Sequence, residues 1–150
     1  MDDPAAGEGF EPRVRASFAR QRVMGTIGAT LTRVEAGSVE IELPYRADLT
    51  QQHGFVHAGV VATILDSACG YAAFTLMPAD VAVLTVEYKI NLLRPASGDR
   101  LVARARVIRA GKTVTVCTGD VFARIGGSEK AVATMLATVM AVTQQDGLKH

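Results

Sequence analysis

The chain has 150 residues, enough for one domain with its own core, and its 49% hydrophobic and 21% charged residues make an ordinary globular balance. A formal net charge of +1 leaves no global field to draw in nucleic acid or an anionic membrane, so neither partner is expected. The two cysteines, Cys69 and Cys117, lie in apolar runs without CxxC spacing and read as reduced core thiols of a cytoplasmic protein, not as a disulfide or a zinc site.

Met1 to Glu11 is acidic and carries Gly and Pro, so it lacks the basic start and apolar middle of an export signal and is expected to lie loose on the surface. Glu11 to Val23 has helical character, so residues 1–23 are expected to form a tail and a short helix. Gly25 and Gly28 then mark a change to extended structure. From there a single domain is expected over 24–143, with a C-terminal tail over 144–150. Ile27 to Val34 and Ser38 to Leu43 are predicted strands joined by a turn at Glu35-Ala36-Gly37. In the second of them Val39, Ile41 and Leu43 face the core and Ser38, Glu40 and Glu42 face water. Pro44 ends it.

Ala58 to Met77 is a long apolar stretch, rich in small residues, with one carboxylate at Asp66. A membrane span would place that acid near its middle at about 2.5 kcal/mol or more, without a basic flank to set an orientation, so a buried helix is predicted. An unpaired acid there costs several kcal/mol or shifts its pKa, which makes Asp66 a candidate functional group. Being apolar on nearly all sides, the helix should be wrapped by other structure. The remainder reads as four strands. Ala82, Leu84, Val86, Tyr88, Ile90 and Leu92 are predicted on one face of the first, and Thr85, Glu87, Lys89 and Asn91 on the other. A loop at Arg94 to Asp99, a strand over Leu101 to Arg109, a short hairpin at Ala110-Gly111-Lys112, and strands over Thr113 to Arg124 and Lys130 to Val142 follow. One long helix against a curved antiparallel sheet of about five to six strands, an α+β architecture, satisfies both burial patterns.

The loop Gly54-Phe55-Val56-His57-Ala58-Gly59, with Asp66 nine residues after the histidine, then Leu92-Leu93-Arg94-Pro95-Ala96 and Gly111-Lys112-Thr113, resembles the PaaI-type hotdog-fold thioesterases from about Met24 to Val142. Ala58 stands where that family has the first Gly of His-Gly-Gly. Gln51 stands where it has Asn, with Gln52 able to take its place. The resemblance implies a hotdog fold and hydrolysis of an acyl thioester, usually acyl-CoA, with no cofactor. Asp66 would act as general base on water or as direct nucleophile. Thr85 falls where the family often carries a Ser or Thr that helps hold the water or the acid.

Thioester hydrolysis needs donors aimed at the developing oxyanion, and free backbone N–H groups around Ala58 and Gly59 at the helix start suit that task. His57 reads as a loop-orienting hydrogen bonder ahead of a base. His53 reads as a turn cap, and two histidines four apart do not make a metal site. Asp66 lies about eight residues further along the helix, roughly 12 Å away, so acid and donors should come from different chains. A homodimer at minimum is therefore expected, and the resemblance implies dimers and often tetramers, so a homotetramer is expected. The pocket floor is expected from Phe55, Phe74, Leu76 and Leu84. For the phosphates of CoA, the candidates are Arg94 with Gly111, Lys112 and Thr113. Arg100, Arg104 and Arg106, on one strand face, are either a solvated surface or a further phosphate cradle. A non-catalytic acyl-CoA-binding module is the alternative function.

Overall fold

The computed structural model describes residues 9–143, so the expected C-terminal tail and most of the N-terminal one lie outside the described residues. Helix α1 (Phe10–Arg20) and helix α2 (Arg22–Ile27) precede strands β1 (Thr30–Glu35) and β2 (Ser38–Pro44). A single 3-10 turn (Ala47–Leu49) and an irregular loop lead into helix α3 (Ala58–Phe74). Four strands follow: β3 (Val81–Leu92), β4 (Arg100–Ala110), β5 (Val114–Ile125) and β6 (Ser128–Thr143). All pairings are antiparallel, and the six strands lie in the order β1-β2-β4-β5-β6-β3. The sheet wraps α3, which packs against β2 to β6, and this is the hotdog fold.

The alternation that marked β2 is kept, with Val39, Ile41 and Leu43 buried against the helix and Glu40 and Glu42 outward. Along β5, Thr115, Cys117, Val121 and Ala123 are buried at every second position. On α3, Ile64, Leu65, Ala68, Cys69, Ala72 and Ala73 are fully buried, as expected of a helix apolar all round. Both cysteines are free and buried, and burial pushes the Cys117 thiol up to about 11.

The expected helix over Glu11 to Val23 is two helices. Gln21 adopts an extended ψ of 93°, and its N–H bonds the Phe18 carbonyl, which ends α1. Gly28, at φ +82°, closes α2 by donating to the Met24 and Gly25 carbonyls. Only glycine takes that conformation readily, so the strand begins at Thr30, three residues later than predicted. Helix α1 lies over α3, joined by the Ser17–Tyr71 hydroxyl contact at 3.2 Å and by the Phe18 and Tyr71 rings, whose centroids are 5.8 Å apart.

Strand β3 departs from simple alternation. Its register with β6 shifts between Thr85 and Glu87, so Val86 is a bulge. Thr85 pairs with Val139, and Tyr88, Ile90 and Leu92 pair with Ala137, Met135 and Ala133, all four partners being buried on the helix side. Thr85 therefore shares the inner face with Tyr88, Ile90 and Leu92, and Leu84 stands on the outer face. The expected split into even and odd positions holds only beyond the bulge. β3 is also a sheet edge, with Leu84, Val86, Tyr88 and Leu92 exposed.

Gly119 sets how closely α3 approaches the sheet. A Cβ there would fall 2.8 Å from Leu65 Cδ1 and 2.9 Å from the Arg104 carbonyl oxygen, and a strand backbone cannot yield as a side-chain tip can. Gly119→Ala should lower stability by about 1–3 kcal/mol, read as a lower urea midpoint at unchanged slope.

Candidate active site

The loop before α3 is held by its own backbone. The Gln51 N–H bonds the Phe55 carbonyl, Gly54 turns back at φ +84°, and the Val56 and His57 N–H groups reach the Ala96 and Leu49 carbonyls. These bonds present the exposed start of α3 at a cleft of about 480 Å³, lined by Gln51, Phe55, Ala58, Leu92, Leu93 and Arg94 among others. The Gln51 side-chain oxygen accepts from the His53 N–H, so its amide NH₂ is the group left to face the cleft.

His57 is the N-cap of α3, and its Nδ1 accepts from the Gly59 N–H at 2.8 Å. An accepting Nδ1 requires a neutral ring with its proton on Nε2. The ring thus caps the helix, and the Gly59 N–H, expected to be open, is engaged. A side chain at Gly59 would crowd the ring, since a Cβ would lie 3.1 Å from Nδ1. The Val60 and Val61 N–H groups both bond the His57 carbonyl. Among the described residues nothing accepts from the Ala58 N–H, which leaves it as the open donor at the positive end of the helix dipole.

Asp66 is half-buried on the α3 face that looks toward β3. The Thr85 hydroxyl donates to its Oδ1 at 2.8 Å, a contact that exists because the bulge keeps Thr85 on the inner face. Burial pushes the Asp66 carboxyl above the ordinary carboxylate range, and the Thr85 hydrogen bond pulls the other way. Such a carboxylate is a stronger base than an ordinary aspartate and, lying beside a cavity, could activate water. That cavity, about 80 Å³, is lined by Asp66, Thr85, Gly70, Tyr71, Phe74 and Gln21 among others. Gln21 accepts from the Ser67 hydroxyl at 3.1 Å across 46 residues of sequence. Nothing in the local sequence marked Gln21, because its position depends on the break between α1 and α2.

Acid and donor do not meet within one chain: the Asp66 cavity and the cleft at Ala58 share no lining residue. The phosphate candidates are split likewise. The Arg94 guanidinium donates to the Ala131 carbonyl beside the cleft. The Thr113 carbonyl accepts from the Ala141 N–H, ten residues further along β6, which places that hairpin about 33 Å away. In that hairpin Gly111 is required, since a Cβ would run into the Val114 carbonyl oxygen. Among the floor candidates, Phe55 lines the cleft and Phe74 the Asp66 cavity. Leu76 instead lies beside Gly37, and Leu84 points to the outer face.

On the outer face, Arg104 bonds both Glu40 and Glu129, Arg124 bonds Glu129, and Arg100 bonds Glu42. The Arg104 guanidinium, with that of Arg124, holds the Glu129 carboxyl down at about 2. With their charge answered by carboxylates, Arg100 and Arg104 are poor candidates for a phosphate cradle. Among the described residues no three His, Cys, Asp or Glu side chains gather as a metal site would need, and no helix is long and apolar enough to cross a membrane.

Residues 53–130, from the loop through the start of β6, match the thioesterase superfamily. The chain belongs to that superfamily. The resemblance seen in the loop and the helix acid is thus borne out, as is the fold. Among solved structures, a thioesterase family protein from Silicibacter pomeroyi is similar at 54% identity, covering 91% of this chain and all of its own, with a TM-score of 0.89. Among curated relatives of this superfamily member, a protein named as an esterase in Halobacterium salinarum is 36% identical over 63% of this chain and 65% of its own length. The chain thus spans just under two thirds of that relative. Human acyl-coenzyme A thioesterase 13 is 30% identical over 67% of this chain and 70% of its own.

Proposed function

We propose that the chain is a thioesterase that hydrolyses acyl-CoA to the free acid and CoA. The single observation that carries this reading is Asp66: a half-buried carboxyl, raised by burial, hydrogen-bonded by Thr85 and open to a cavity at a sheet edge. Membership of the thioesterase superfamily supports the reaction class, and the similarity to a protein named acyl-coenzyme A thioesterase supports the carrier. Asp66, its carboxylate held by the Thr85 hydroxyl, takes a proton from a water in the adjoining cavity, and the hydroxide attacks the thioester carbonyl. The Ala58 N–H, with the helix dipole behind it and the Gln51 amide beside it, stabilises the oxyanion. The tetrahedral intermediate collapses with loss of the CoA thiolate, which takes the proton from Asp66 to become the thiol and so restores the base. His57 orients the helix start, and Gly59 leaves room for that ring.

The site is shared between two copies joined through β3. That edge exposes Leu84, Val86, Tyr88 and Leu92, and an unpaired apolar edge strand favours pairing with another strand. Thr85 marks the Asp66 end of β3, and Leu92 lines the cleft at the helix start. Antiparallel pairing of two β3 edges, centred near Tyr88, brings Asp66 of one chain to the partner's Ala58. The same operation carries the Gly111 to Thr113 hairpin of one chain toward the end where the partner's Arg94 lies, so the phosphate candidates that are far apart in one chain become neighbours in two.

The test is thiol release from a panel of acyl-CoAs, together with the molecular mass in solution by sedimentation. Turnover by a dimer or larger assembly is expected; CoA binding without turnover of any thioester would favour the non-catalytic binding module. Thr85→Val adds a check on Asp66. Removing the hydroxyl removes the one contact that lowers the carboxyl's pKa, so the pKa rises further. A base works ionised, so activity is lost as pH falls through that pKa. The acidic limb of the kcat/KM profile should therefore move to higher pH.

A further inference from the structure

Gly70 stands in the interior of α3, one turn beyond Asp66, where glycine weakens a helix relative to alanine. Close packing explains Gly119, but it does not explain Gly70. A Cβ there would meet no side chain and no neighbouring element within 4 Å. The space is the cavity that runs from Asp66 past Gly70 to Tyr71 and Phe74, with Val83 on one side and Gln21 on the other. Asp66 is its one ionisable carboxyl, and the phosphate candidate Arg94 lies in the other cleft. We infer that Gly70 keeps open the acyl pocket and that this pocket selects short acyl groups. This inference rests on the hydrolysis proposed above and names the substrate class of that same site.

The size follows from volume. The Asp66 cavity, about 80 Å³, is much smaller than the cleft of about 480 Å³ at Ala58, so it takes a short acyl tail. Tyr71 and Phe74 line the cavity beyond Gly70. Tyr71 is held in place by the Ser17 hydroxyl and the Phe18 ring of α1, so the N-terminal helices set the depth of the pocket. Longer chains would have to displace α1. The large cleft with Arg94 at its rim is then left for the pantetheine arm, which leads to the phosphates.

The experiment measures kcat/KM across acetyl-, butyryl-, hexanoyl-, octanoyl- and palmitoyl-CoA for the parent, Gly70→Ala and Gly70→Val, with mass in solution and Tm for each. The parent should fall at least tenfold from butyryl to octanoyl. Because one methylene in a fitted pocket is worth about 10–200-fold, Gly70→Val should lower the butyryl-to-acetyl ratio by tenfold or more. Gly70→Ala should raise Tm by a few degrees, since it improves the helix and meets no atom. A profile that rises toward palmitoyl, a ratio unmoved by Gly70→Val, or a lower Tm or split assembly in Gly70→Ala would each overturn the inference while leaving hydrolysis standing. Absence of turnover on every thioester would instead remove the proposed function and this inference with it.

Discussion

Asp66→Asn should lower kcat by a hundredfold or more on any acyl-CoA that the parent turns over, with the assembly and the circular dichroism unchanged. General-base effects are of that size, about 10²–10⁴, and the amide is nearly isosteric and still accepts from Thr85. The same substitution should stabilise the protein, and the sign follows from linkage. Burial raises the folded-state pKa of Asp66 above its ordinary value of 3.8. Stability from the protonated form is present in full below that ordinary value and is lost as pH rises through the folded pKa. The neutral amide has no such loss, so the Tm gap between variant and parent should open on moving from acid to neutral pH. Lower activity joined to higher stability is what a buried catalytic acid predicts. A variant that keeps its turnover would end the role of Asp66, and a flat Tm gap would mean that the acid is not strained by burial.

Ala58→Pro is expected to remove the second half of the site without harming the fold. Ala58 is the first residue of α3, a position that favours proline because its N–H has no helical partner. The preceding His57 already has φ −58° and ψ 137°, the extended conformation that a following proline demands. The change therefore deletes one N–H and little else. Loss of a single oxyanion donor costs about 10²–10³ in kcat. Mixing and reassociating the two inactive proteins, Ala58→Pro and Asp66→Asn, should then restore activity. Half of the dimers are mixed and each mixed dimer holds one intact site, so recovery should approach about a quarter of the parental rate. No recovery, with mixed dimers demonstrated by mass, would sink the shared site.

Much of the frame was legible from residue order. Solvent and core impose a period of two on β2 and β5, and an apolar helix such as α3 must be wrapped, so a long helix against an antiparallel sheet follows from local patterning, while the hotdog fold was implied by the resemblance. The loop around His57 and the isolated acid at Asp66 stood out for the same reason: each breaks a local rule, and such breaks collect where chemistry is done.

Tertiary structure decided what depends on distant partners. The bulge at Val86 is set by register against β6, 51 or more residues away, and it alone turns Thr85 toward Asp66. Gln21 reaches the same cavity through a helix break, and His57 takes the Gly59 N–H through a side-chain cap that backbone periodicity does not encode. The expected floor residue Leu84 fell on the outer face because the bulge offsets it from Tyr88, Ile90 and Leu92, and Leu76, in the turn after α3, packs beside Gly37. Period and polarity are properties of neighbours in sequence and can be read from the chain. Register, bulges and caps are settled by which distant backbone offers the next hydrogen bond, and only the folded sheet and helix supply that.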